Sequence, residues 1–269
     1  MLRQRILTAL VMAPVAIGGI FVLPPELFAL FTGAVLAVAA WEWANLANLE
    51  GGIQVAYAAA VVVGFALAHQ ATPWLTLLPA LAWWLFAAVS VLTYPASRRW
   101  SRAVAARAAI GFLLLVPGYV AMVELKAHAE STFLILLLFF LIWAADIGAY
   151  FAGRAFGKRK LAPKVSPGKS WAGAFGGMFA AVGVGVGMLA WRGTPALTDP
   201  AALLYLGCCL AIAIVSVFGD LTISLFKRER GVKDTSNLLP GHGGFLDRID
   251  SLLSAAPLFA VFLMLGAFA

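Results

Sequence analysis

Charge is what this 269-residue chain most lacks. Only 12% of its residues are Asp, Glu, Lys or Arg, against 63% hydrophobic, where a soluble domain carries roughly 25% charged residues. So little charge cannot cover a water-facing surface, and the net charge of +7 is therefore not read as a nucleic-acid signal. Cysteine is nearly absent. The two present, Cys208 and Cys209, are neighbours inside an apolar run, a poor arrangement for a structural disulfide; they read as small side chains packed between helices. No Cys/His spacing suits zinc. Polar stretches long enough for a soluble domain are missing too, the longest interruptions lying near 154–172 and 227–248. No internal repeat stands out, which weighs against an inverted-repeat transporter.

Long hydrophobic runs are what the chain has instead. Crossing about 30 Å of hydrocarbon takes about 20 apolar residues as a helix, and nine stretches qualify, near 7–24, 27–47, 53–71, 73–94, 104–124, 132–153, 173–191, 201–226 and 249–268. The first is longer than the apolar part of a secretory signal and has no A-x-A-like site before Pro24-Pro25, so it is read as a retained helix. The expected fold is all-α, a polytopic membrane helix bundle forming one membrane-embedded domain over residues 1–269. Residues 1–130 serve mainly as scaffold, and 131–269 carry the catalytic helices and loops.

With a cytoplasmic N-terminus, nine spans put seventeen of the nineteen Lys and Arg on the inside and leave only Lys126 and Arg192 outside, as the positive-inside rule requires. The C-terminus is then external. The external connections Pro24–Glu26, Lys126–Ser131 and Arg192–Pro200 carry few charges, so chemistry belongs to the cytoplasmic loops, in the inner membrane of a bacterial cell. Trp41, Trp43, Trp74, Trp83, Trp84 and Trp100 fall mostly near span ends, as an interfacial belt would. Glu42, between two of them, is expected to snorkel or pair with a basic group. Gly173, Gly176, Gly177, Gly183, Gly185 and Gly187 crowd the seventh span, where small residues let helices approach closely.

Two acids lie within otherwise apolar runs. Asp146 precedes Gly153 by seven residues and Asp220 precedes Lys227 by seven, so both sit roughly 10 Å below the loops. Buried charge there is costly and marks functional candidates, with simple interhelical contacts as the competing reading. Asp247 and Asp250 are three apart and share a helix face, although capping of the last helix would explain one of them. Hard carboxylate oxygens beside an oxygen-rich substrate suit Mg²⁺. Pro240-Gly-His242-Gly243-Gly244 offers unobstructed N–H groups for an anion nest, or merely a turn into the next helix. Basic residues flank it. The other loop, Ser166-Pro-Gly-Lys169-Ser170, leads into a helix N-terminus, an attractive end for phosphate, but no Walker A glycine precedes it.

The stretch from Ser224 to Asp250 resembles the signature of the phosphatidate cytidylyltransferase (CDP-diacylglycerol synthase) family, S-x-x-K-R-x₄-K-D followed by H-G-G-x-x-D-R-x-D. Its fixed positions are met by Ser224, Lys227, Arg228, Lys233, Asp234, His242, Gly243, Gly244, Asp247, Arg248 and Asp250. The resemblance extends to Asp146-x-x-Ala149-Tyr150-x-x-Gly153-Arg154, to Ser166-Pro167-x-Lys169-Ser170 and loosely to Glu42-Trp43. One departure is Ala172-Gly173, where the family usually has Glu-Gly. The resemblance implies transfer of CMP from CTP to phosphatidic acid with Mg²⁺. In that scheme Asp220 and Asp247 hold the metal and Asp146 and Asp250 support it. Lys227, Arg228, Lys233, Arg248 and Lys169 bind phosphates, with Ser224, Asp234, Gly243, Gly244 and Ser166 around the substrates, and His242 moves a proton or touches phosphate. Membrane lipids surround the site; a homodimer is compatible with this and nothing in the sequence requires it. A CTP-dependent polyprenol- or phytol-type lipid kinase and a proton-coupled transporter are the competing readings.

Overall fold

The computed structural model describes residues 2–193 and 198–268, so the middle of the 192–200 connection lies outside the described residues. Helices follow the apolar runs: α1 Leu2–Ile17, continued by a π-helical turn Gly18–Val22, then α2 Pro25–Leu46, α3 Gly52–His69, α4 Trp74–Leu92, a 3₁₀ segment Ala96–Arg102, α5 Val104–Ala127, α6 Ser131–Phe156, α7 Trp171–Trp191, α8 Pro200–Arg230 and α9 Leu246–Met264. Local chemistry sets several ends. Asp199 accepts from the N–H of Ala201 ahead of Pro200 at the first position of α8, and Gly231 closes that helix in the left-handed region at φ 80°, as caps of these types do.

Eight of these helices are long and apolar enough to cross a membrane, which makes the chain a multi-pass membrane protein. The ninth, α9, opens with Asp247, Arg248 and Asp250. It tolerates them because it is an inner helix, packed against α8, α5, α4, α6 and α2, with Leu253, Ala256, Phe259 and Ala260 sealed from the surface. Side chains around the outside are apolar yet exposed, among them Leu10, Leu30, Leu67, Leu85 and Phe179, the surface that hydrocarbon rather than water would cover.

The helices alternate in direction. Arg5 near the start of α1 reaches Gly241, Glu42 near the end of α2 reaches Leu246, Tyr94 just past α4 meets Glu229 near the end of α8, and Lys169 just before α7 meets Asp220. All these contacts lie at one end of the bundle, the polar end.

Three local expectations change. The connection between α6 and α7 is not a plain loop but an antiparallel hairpin, β1 Lys160–Ala162 with β2 Ser166–Ser170. Trp43, Trp83 and Trp84 are buried rather than interfacial, because helices pack over them; the Nε1 of Trp43 donates to the carbonyl of Arg107 at 2.8 Å. The glycine stripe divides. Gly173, Gly176 and Gly177 lie against the backbone or Ala152 of α6 and Gly185 against Cys209 of α8, whereas Gly183 and Gly187 have open space beside them. Cys208 and Cys209 are free and buried, as read from sequence.

Candidate functional site

The expected site residues gather at the polar end, but in two adjoining groups. The first is built on α8, which at 31 residues is about 46 Å long and so outruns the apolar slab. Asp220 lies two-thirds of the way along it. Its Oδ1 accepts from Ser224 Oγ, one turn on, at 3.1 Å, and its Oδ2 meets Lys169 Nζ at 2.7 Å. Lys169 is delivered by the hairpin, which Arg228 of α8 holds by donating from Nε to the Val165 carbonyl at 3.1 Å. Ser170, next in line, caps α7 by accepting from the N–H of Gly173, and Gly153 and Gly157 leave its hydroxyl the room to do so. Asp146 on α6 is within electrostatic reach of Lys169 and Asp220, and Asp250 on α9 within reach of Asp220, Lys227 and Lys169. Lys169 thus pairs directly with Asp220, with Asp146 and Asp250 acting on the pair at longer range. Asp146, Tyr150, Leu161, Lys169, Gly173 and Val217 are among the residues lining a cavity of about 200 Å³ beside it.

The second group is a closed nest. Asp247 Oδ1 meets Lys227 Nζ at 2.6 Å. Its Oδ2 accepts from the N–H of Thr235 at 2.8 Å, the hydroxyl of Thr235 at 3.0 Å and the N–H of Gly244 at 3.0 Å. Ahead of the apolar part of α9, burial would push this carboxyl up; the Lys227 ammonium and the Gly244 and Thr235 amides outweigh that and hold it below the usual carboxylate range. Exposure separates the groups: the Lys169 and Asp220 side chains are 25% and 30% exposed, those of Lys227 and Asp247 only 10% and 5%. Asp220 thus pairs with Lys169 where solvent still reaches it and Asp146 is exposed, whereas Asp250 is half-buried and accepts from the N–H of Ser251, and Asp247, expected beside Asp220 as a ligand, is nearly sealed with its oxygens engaged by Lys227, Thr235 and Gly244.

The glycine loop differs in the same way. Its amides face inward: Gly244 N–H serves Asp247, those of Phe245 and Leu246 serve Glu42, and His242 N–H returns to Leu239. Of the stretch read as a nest for substrate phosphate, the Gly244 amide thus serves the chain's own Asp247, and the two amides just beyond it serve Glu42. Gly243 sits at φ 84°, a left-handed turn that glycine accommodates freely. Arg248 folds back to donate to the His242 carbonyl at 3.1 and 2.6 Å, and the Nδ1 of His242 is buried without a hydrogen-bond partner. Lys233 and Asp234 are exposed and Ser166 is half-buried at the start of β2. Ala172 lies in the first turn of α7, which carries no acid. Among the described residues no group of three or more His, Cys, Asp or Glu is drawn together as a preformed metal cage.

Sequence reading missed Thr235 and Ser236, whose hydroxyls hold the nest; their only signal was two hydroxyl residues directly after Lys233-Asp234. It also missed that Arg107, counted among the loop cations, is buried at 3% exposure and paired with Glu229 at 3.6 Å.

A bundle of membrane-length helices with open carboxylates, lysines and arginines converging at one end is the layout of an integral membrane protein that handles anionic, phosphate-bearing molecules where lipid and water meet. The chain belongs to the cytidylyltransferase family, whose model matches residues 3–265. The phosphatidate cytidylyltransferase of Pseudomonas aeruginosa is 51% identical to it over 268 residues, covering 98% of this chain and 97% of that protein. That of Haemophilus influenzae is 38% identical over 283 residues, covering 97% and 98%.

Proposed function

We propose that the chain is a nucleotidyltransferase that moves CMP from CTP to phosphatidic acid, giving CDP-diacylglycerol and pyrophosphate. The observation that carries this reading is the Lys169–Asp220 pair with Asp146 and Asp250 near it at the polar end of the bundle, in a chain similar over nearly its whole length to phosphatidate cytidylyltransferases. An oxygen of the lipid phosphate attacks the α-phosphorus of CTP. The bond from that phosphorus to the α–β bridging oxygen breaks, and its electrons leave with pyrophosphate. Both reactants are anionic, so catalysis rests on positioning and on neutralising charge.

The donor set fits Mg²⁺, which binds through one or two carboxylates plus phosphates and waters rather than an all-protein cage. Asp220, with Asp146 and Asp250 beside it, would hold the ion, and Lys169 now places a cation where one is needed. When bound, the ion would supply charge neutralisation on the phosphates. Lys169 releases Asp220 as phosphate arrives and turns its ammonium to the substrate. Lys227 and Arg248 would bind phosphate, Arg228 fixes the hairpin that carries Lys169, Lys233 would draw the polyanion inward from the surface, and His242 would move a proton or touch phosphate. Asp247 with Thr235 holds Lys227 in place. The positive-inside bias supports a polar end on the cytoplasmic side of the inner membrane, where CTP arrives from water and the lipid from the bilayer.

The test is a product assay. Purified protein with CTP, Mg²⁺ and phosphatidic acid should release pyrophosphate and form CDP-diacylglycerol, and Asp220→Asn should abolish both. CDP with a phosphorylated lipid would mean a lipid kinase, and no product, or a fully active Asp220→Asn, would overturn the assignment.

A further inference from the structure

Glu42 has no part in the chemistry above, yet its position is among the most constrained in the molecule. It is fully buried, at 0% exposure, and accepts four hydrogen bonds: from the hydroxyls of Thr235 at 3.1 Å and Ser236 at 2.5 Å, and from the backbone N–H groups of Phe245 at 3.0 Å and Leu246 at 2.7 Å. Those four donors all belong to one segment, 235–246. The two amides open α9, whose first N–H groups have no partner within the helix, so an acid on α2 caps a helix some two hundred residues further on.

The Thr235 hydroxyl also lies 3.0 Å from Asp247 Oδ2. One hydroxyl proton faces two carboxylates, and Thr235 is thereby the link between Glu42 and the Asp247–Lys227 pair. The fit leaves no slack. A Cβ on Gly244 would run into Thr235 Oγ1 and both Glu42 carboxylate oxygens, so the second glycine of the His-Gly-Gly sequence is required by Glu42 as well as by the turn. A buried carboxylate is costly unless fully hydrogen-bonded.

We propose that Glu42 is a positioning residue for the transfer reaction: by fastening residues 235–246 to α2 it sets Asp247 and, through it, presents the Lys227 ammonium to the Asp220 group. It touches no substrate. The inference rests on the CMP-transfer reading, and its test separates the two. Full-length Glu42→Gln and Thr235→Val proteins are compared with wild type in nanodiscs by steady-state kinetics and, without substrate, by hydrogen exchange. Glu42→Gln keeps the shape but turns an N–H₂ toward donors, and should lower kcat by about 10²-fold with the phosphatidate KM within about 2-fold, the signature of misplaced groups rather than lost binding. Exchange should quicken in 235–246 and stay unchanged in α5 and α7. Thr235→Val, which removes only the linking hydroxyl, should give the same kcat loss in smaller measure, and it decides the matter if Glu42→Gln does not fold. Wild-type kcat in whichever of the two variants folds, or faster exchange spread over the whole bundle, would overturn the proposal. A wild type that forms no CDP-diacylglycerol refutes the function itself, and the positioning role falls with it even if the exchange pattern is as expected.

Discussion

Replacing Lys227 by Met tests whether Asp247 is held by the chain or merely near it. Met keeps most of the stem's volume and removes only the ammonium. The pair is nearly sealed, at 10% and 5% side-chain exposure, and stripping one partner from a buried ion pair costs about 3–5 kcal/mol. Asp247 would retain its three other donors from Thr235 and Gly244. Those bonds soften the loss, so the low end, about 3 kcal/mol, is the expectation. Asp247→Asn should cost a similar amount by stranding the ammonium. The double variant removes both charges, and should be more stable than the sum of the singles by about 2 kcal/mol, within the range seen for coupled neighbours. Unfolding of the purified protein by SDS titration in mixed micelles, followed by tryptophan fluorescence, measures all four corners of the cycle. A Lys227→Met protein within about 0.5 kcal/mol of wild type, or a strictly additive cycle, would refute the closed nest.

Three further outcomes are expected. Lys169→Met should cut turnover by about 10²-fold or more while barely moving the melting temperature, because both ends of the Lys169–Asp220 pair are partly open to solvent; a large loss of thermal stability would contradict this. Gly177→Val should reduce the yield of folded protein, since a Cβ there meets the Ala145 carbonyl of α6, whereas Gly183→Ala, with open space around it, should be neutral or stabilising by up to about 1 kcal/mol; size-exclusion profiles and melting curves tell them apart. Arg107→Met should destabilise by about 3 kcal/mol or more, because Glu229, 1% exposed at its side chain, would lose its buried cation; an unchanged melting curve would count against that.

Much of the architecture was legible in the amino-acid order. The apolar runs marked nine spans, of which eight are helices long and apolar enough to cross a membrane and the ninth, α9, is as long as α4 but opens with charges, and the Lys/Arg distribution anticipated the alternation that brings every chemistry-bearing segment to one end. Asp220 and Asp146 were visible as well, because a charge inside an apolar run is conspicuous whatever surrounds it, and Lys169 stood out through the loop that leads into α7. The tryptophans misled for the same local reason: nearness to a span end says where along a helix Trp43 and Trp84 lie, not which side of the helix its neighbours cover. The glycine loop was read for its free N–H groups, but that the Gly244 amide serves Asp247 and the next two serve Glu42 was not visible in the sequence.

Hydrophobicity and charge are properties of each residue alone and add up along a stretch, so the sequence by itself determined where the helices run and which end of the bundle gathers the polar groups. Pairing is not additive in that way. Which carboxylate stays open and which is saturated depends on helix rotation and on closures between residues 193 to 204 positions apart, as between Glu42 and the 235–246 segment. Only the packed bundle decided that Asp220 pairs with the Lys169 that lines the cavity while Asp247 and Glu42 turn inward to hold the loop, because a hydrogen bond exists only where two groups meet at about 3 Å.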